Sequence, residues 1–71
     1  MLLFTMEYLD NLIESVNSAQ TRLALKVIEK RGKHYVREFN NPNIKPTIRK
    51  AALKRLKTLQ RKIKIMERSF N

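Results

Sequence analysis

Residues 46–70 read PTIRKAALKRLKTLQRKIKIMERSF, and two stripes run through them. Ile48, Ala52, Leu56, Leu59, Ile63, Met66 and Phe70 recur at steps of four and three, the spacing that returns side chains to one face of an α-helix. This is a core-facing stripe. Lys50, Lys54, Lys57, Arg61, Lys64 and Arg68 keep similar steps. Each lies two residues behind an apolar member, about 200° around the axis, so they form a basic face directed away from the core. Arg49, Arg55 and Lys62 flank that face, and Glu67 is the one acid of the segment. Pro46 suits the first position of a helix, where its missing N–H costs nothing. The spacing predicts a helix over 46–69.

Working back from this helix, Asn40-Asn41-Pro42-Asn43-Ile44-Lys45-Pro46 concentrates turn formers, and each proline disfavours helical backbone in the residue before it. A connector at 40–45 follows. Further upstream, Leu2, Met6, Leu9, Ile13, Val16, Gln20, Leu23 and Val27 alternate steps of four and three, like the seam of a coiled coil, with Leu12, Ala19 and Ala24 widening it. Ser15-Val16-Asn17-Ser18 is poor helix interior, and Asn17 with Gln20 has the form of a capping box, but the seam keeps its phase across them. A helix over about 2–31, bent at most near 17, is therefore expected. Gly32, after Lys30 and Arg31, fits a left-handed C-terminal cap; because Ile28, Gly32, Tyr35 and Phe39 also share a face, the helix can extend to 39. The predicted fold is all-α: two or three helices in one antiparallel hairpin or small bundle with a coiled-coil-like N-terminal helix.

Seventy-one residues lie near the lower limit for a single unassisted core. With no cysteine and His34 as the sole histidine, disulfides and Cys/His zinc sites are excluded as staples. Helix packing, self-association or a partner must supply the stability. A homodimer is expected through Leu2, Met6, Leu9, Ile13, Val16 and Gln20, with Gln20 fixing register as polar seam residues do. No basic n-region precedes Met1-Leu2-Leu3-Phe4, and no apolar run has the length of a membrane span. The reading is a soluble, intracellular protein.

Charge is distributed unevenly. Residues 1–21 hold Glu7, Asp10 and Glu14 without any Lys or Arg, whereas all 16 basic residues lie from Arg22 onward against Glu29, Glu38 and Glu67. The two parts carry −3 and +13, which sum to the formal +10 of the chain. An ordinary solvated helix face interleaves Glu with Lys three or four residues apart, gaining about 0.2–0.5 kcal/mol per pair, and like charges at that spacing lose a similar amount. The uninterrupted basic stripe therefore destabilises the free helix and points to an anionic ligand that relieves the repulsion. Nucleic acid, DNA or RNA, fits best, with Lys50, Lys54, Lys57, Arg61, Lys64, Arg68 and Arg49 contacting phosphates. Lys33 and Arg37, beside His34 and Tyr35, add a cationic patch with an aromatic ring suited to stacking on a base. An anionic membrane is less favoured because the core needs the same apolar face. The alternative class is an inhibitor or adaptor presenting the basic helix to an acidic protein surface.

Catalytic material is sparse. There is no Cys nucleophile and no Gly-rich phosphate loop, and His34 has Lys33 and Tyr35 as neighbours rather than an acid. Glu7, Asp10 and Glu14 share one helical face, a solvated or ion-pairing stripe rather than a cation site. Neither an enzyme nor a cofactor is expected. The segment from Ala24-Leu25-Lys26 through Glu29-Lys30, Arg37-Glu38-Phe39 and Pro42 to Arg49-Lys50 and Lys54-Arg55 resembles a family of short, basic, helical proteins of the bacterial small ribosomal subunit that contact ribosomal RNA. The resemblance covers about half the chain. It lacks that family's dense arginine run, the acidic N-terminal part departs from the pattern, and no site is carried over from it.

Overall fold

The computed structural model describes residues 6–70, among which the chain forms three α-helices and one 3₁₀ turn. Helix α1 spans Met6–Ser15, the 3₁₀ turn Val16–Ser18, α2 Arg22–Glu38 and α3 Pro46–Arg68. Neighbours across the helices fix the topology as up, down, up. Tyr8 stacks with Tyr35 and Leu12 lies near Gly32, so α1 runs antiparallel to α2. Arg22 and Lys26 share a hollow with Lys64 and Arg68, and Val36 and Arg37 share one with Arg49 and Leu53, so α2 runs antiparallel to α3. The result is a thin bundle of 42 × 21 × 15 Å.

The expected continuous N-terminal helix does not form. Ser15 Oγ donates to the Leu12 carbonyl at 2.7 Å, the local side-chain bond by which serine competes with helix. Three residues of 3₁₀ turn follow, and Ala19 turns the backbone extended. The new helix starts from Thr21, whose Oγ1 accepts the Ala24 N–H at 3.0 Å. Thr21 thus takes the capping role that the Asn17/Gln20 pattern suggested one turn earlier. Thr21→Ala removes this bond and is expected to lower stability by about 1 kcal/mol, which a urea titration followed by circular dichroism will read as a lower midpoint with unchanged slope.

The break resets the helical phase. Leu9, Leu12 and Val16 are buried, whereas Leu23 and Val27, the next members of the expected seam, are 71% and 41% exposed. Helix α2 instead buries Leu25, Gly32 and Val36, with Ile28 and Tyr35 packed at the margin. The residues expected at a dimer seam are redistributed with it. Leu9 and Val16 belong to the chain's own core, Met6 and Ile13 pack against that core, and Gln20 lies exposed in the linker. Leu2 is outside the described residues. No continuous stripe from Met6 to Gln20 remains open to a second copy.

Gly32 caps nothing. It lies inside α2 without a positive φ, buried where all three helices meet, so of the two boundaries considered for this helix the longer one holds. The connector and α3 follow the expected pattern. Asn43 N–H donates to Asn41 Oδ1 at 3.0 Å, an Asx turn, and Pro46 opens α3 behind Lys45. Ala52, Leu59 and Ile63 are buried, and Leu56, Met66 and Phe70 pack against the core. Ile48, at the helix start, is partly exposed.

Candidate functional site

All six residues of the basic stripe, Lys50, Lys54, Lys57, Arg61, Lys64 and Arg68, are exposed. The ion pairs among the described residues are Glu29–Lys33 at 3.0 Å, Glu38–His34 at 4.0 Å and Asp10–Arg55 at 3.0 Å. None neutralises the stripe. Arg55, a flanking residue, instead clamps α1 to α3 through Asp10, an exposed pair that adds at most about 1 kcal/mol.

The structure also places a second basic row beside the first. Lys26, Lys30, Lys33 and Arg37 recur on α2 at steps of four, three and four and line a groove between α2 and α3. That groove consists of three hollows sharing walls. Arg22, Lys26, Lys64, Glu67 and Arg68 surround the first, and Lys26, Glu29, Lys30, Lys33 and Glu67 the second. Lys33, Val36, Arg37, Phe39, Asn40, Arg49, Leu53 and Leu56 surround the third. Eight basic side chains and two carboxylates thus line one continuous track, and Glu29 is already paired with Lys33. A concave surface lined mainly by one sign of charge between low-dielectric walls focuses its field and concentrates counter-ions. The first turn of α3 holds no acid, so the positive end of its dipole adds to Arg49.

Sequence reasoning named Lys33, Arg37, Arg49, Lys64 and Arg68, and the groove gathers all five. Lys50, Lys54, Lys57 and Arg61 lie outside it, on the outer side of α3. Arg22, Lys26 and Lys30 were missed. Their signal was the same step of four and three, on a helix whose end the sequence left open between 31 and 39. The expected base-stacking patch is divided by the fold. Lys33 and Arg37 face the groove, whereas Tyr35 packs toward α1, 4.3 Å from Tyr8 and 5.3 Å from Phe39 between ring centroids. Tyr35 is thus engaged in the edge of the core, and His34 is exposed beside Glu38.

One polar atom of a residue that lines the third hollow lacks a partner. Arg49 Nε is buried with no hydrogen-bond acceptor among the described residues. A buried donor left unsatisfied costs about 1–3 kcal/mol, more when charged. Elsewhere, Glu7 and Glu14 are exposed on α1, and the described residues contain no group of three or more His, Asp or Glu placed to hold a metal ion. No described helix is long and apolar enough to cross a membrane. Comparison of the chain with protein-family models, curated proteins and solved structures returns no match, so the site stands on its own geometry.

Proposed function

We propose that this protein binds nucleic acid through phosphate contacts along α3 and the α2/α3 groove, without catalysis of its own. The observation that carries the reading is the alignment of cations that far outnumber the acids beside them. Six exposed basic residues run the length of α3, and a groove lined by eight basic side chains lies beside them, Lys64 and Arg68 belonging to both sets. A 23-residue helix is about 35 Å long, comparable to one turn of duplex at about 34–36 Å. Lysine supplies point charges, and arginine engages two oxygens at once. No base-reading motif accompanies these cations, so affinity is expected to depend little on sequence.

Fluorescence anisotropy with a labelled oligonucleotide at increasing salt tests this directly. Engagement of six phosphates on a duplex gives a slope of log K against log salt of about −5, from about −0.9 per contact. A slope near zero, or tighter binding to an acidic polypeptide than to any oligonucleotide, would assign the basic surface to a protein partner instead.

A further inference from the structure

Resting on the nucleic-acid reading, we propose that the hollow at the connector end of the groove receives one unpaired nucleotide of the bound strand, so that the protein prefers strands with unpaired segments to continuous duplex. The three hollows of the groove differ in a way that phosphate binding alone does not explain. The two toward Arg68 are lined by charged side chains only. The third combines three cations, Lys33, Arg37 and Arg49, with an apolar floor of Val36, Leu53 and Leu56. Its volume of about 470 Å³ lies within the range of about 300–1,000 Å³ usual for small-molecule sites. Leu53 remains 50% exposed there.

A ligand matched to this lining carries an anionic group attached to a flat, largely apolar body. A continuous duplex supplies phosphates but keeps its bases stacked inside, so the cations are used and the floor is not. An unpaired nucleotide supplies both parts. Its base lies over Leu53 and Leu56 beside the Arg37 guanidinium, as extruded bases pack on apolar side chains and on arginine planes. Its phosphate is held by the cations Lys33, Arg37 and Arg49 that line the hollow. Asn40 at the rim adds both a donor and an acceptor for a base edge. An amphipathic acidic peptide would fill the same hollow, but it needs apolar contacts at each helical turn, and the rest of the groove offers charge alone.

The test uses the full chain and two hairpin oligonucleotides with equal phosphate counts, one blunt and one with a shorter stem and an unpaired tail. The wild-type protein is expected to bind the tailed hairpin about tenfold more tightly. Leu53→Gln keeps the charge and sits on the surface, so circular dichroism should be unchanged while the preference falls to about one. Arg49→Gln is expected to remove it as well. Equal wild-type binding of the two hairpins, or a preference that survives Leu53→Gln, would overturn the hollow's role and leave phosphate binding intact. Failure to bind either hairpin would overturn the function itself. Displacement of the tail by a Leu/Glu helical peptide, with no displacement by the tail-sequence oligonucleotide alone, would assign the hollow to a protein.

Discussion

Gly32→Val is expected to lower the melting temperature by more than 10 °C, with much of the chain unfolded at 37 °C. Gly32 has no positive φ, so glycine is not required by its backbone, and inside a helix it is about 1 kcal/mol worse than alanine. Space is what the position requires. A Cβ placed here would stand 2.5 Å from Leu59 Cδ2, 3.5 Å from Leu56 Cδ1 and 3.9 Å from Leu12 Cδ1. Leu59 is fully buried, and close-packed neighbours leave it little room to change rotamer. In Gly32→Ala the helix-propensity gain offsets part of an overpacking penalty of about 1–3 kcal/mol, and a net loss of about 1 kcal/mol is expected. Valine adds two methyl groups and β-branched stiffness, for a loss of about 3 kcal/mol or more. A domain of this size has about 4–10 kcal/mol to lose, and each kcal/mol shifts its midpoint by about 4–8 °C. Thermal melts of the alanine and valine variants check this, with Leu59→Ala in the valine background as a rescue. A valine variant melting within a few degrees of wild type would show that the three helices do not approach this closely.

The same glycine shows where the sequence was legible and where it was not. Helix α3 could be read almost to the residue, because its period runs from Ile48 to Phe70 without interruption and Pro46 fixes its start. The outward position of Lys50, Lys54, Lys57 and Arg61 followed from that period alone. Upstream, one local signal misled and another left two boundaries open. The heptad-like series across Ser15-Val16-Asn17-Ser18 kept its phase by coincidence, since Leu23 and Val27 point to solvent once Thr21 begins a new helix. Gly32 looked like a terminus because a small residue after Lys30 and Arg31 suits both a cap and a close crossing, and only the position of Leu59 separates the two. The false seam and the boundary left open at Gly32 together hid the groove. With α2 starting at Arg22 and passing through Gly32, Lys26, Lys30, Lys33 and Arg37 become one row, and the antiparallel pairing with α3 brings them beside Arg49 and Lys64. That pairing is a long-range property, invisible to periodicity within either helix.

The largest effect on binding is expected from Lys54→Gln, Lys57→Gln and Arg61→Gln combined. These side chains are exposed, make no ion pair among the described residues, and line none of the groove's hollows, so their loss removes charge without touching the core. Three fewer phosphate contacts halve the salt slope, from about −5.4 to about −2.7. At about 1 kcal/mol per charged contact the affinity falls on the order of 10²-fold at low salt. Stability should move the other way. The triple change removes the like-charge neighbours Lys50–Lys54, Lys54–Lys57, Lys57–Arg61 and Arg61–Lys64, each worth about 0.2–0.5 kcal/mol of repulsion, so the variant is expected to melt several degrees higher than wild type. Opposite signs for affinity and stability distinguish a binding surface that works at the expense of the fold from a stripe whose role is solubility. A matching variant of the groove, Lys26→Gln with Lys30→Gln and Arg37→Gln, locates the strand. If both triples weaken binding by similar factors, the strand spans the groove and the outer face of α3 together. If the outer triple binds as tightly as wild type while the groove triple does not, the outer stripe plays no part, and the phosphate contacts belong to the channel between α2 and α3 alone.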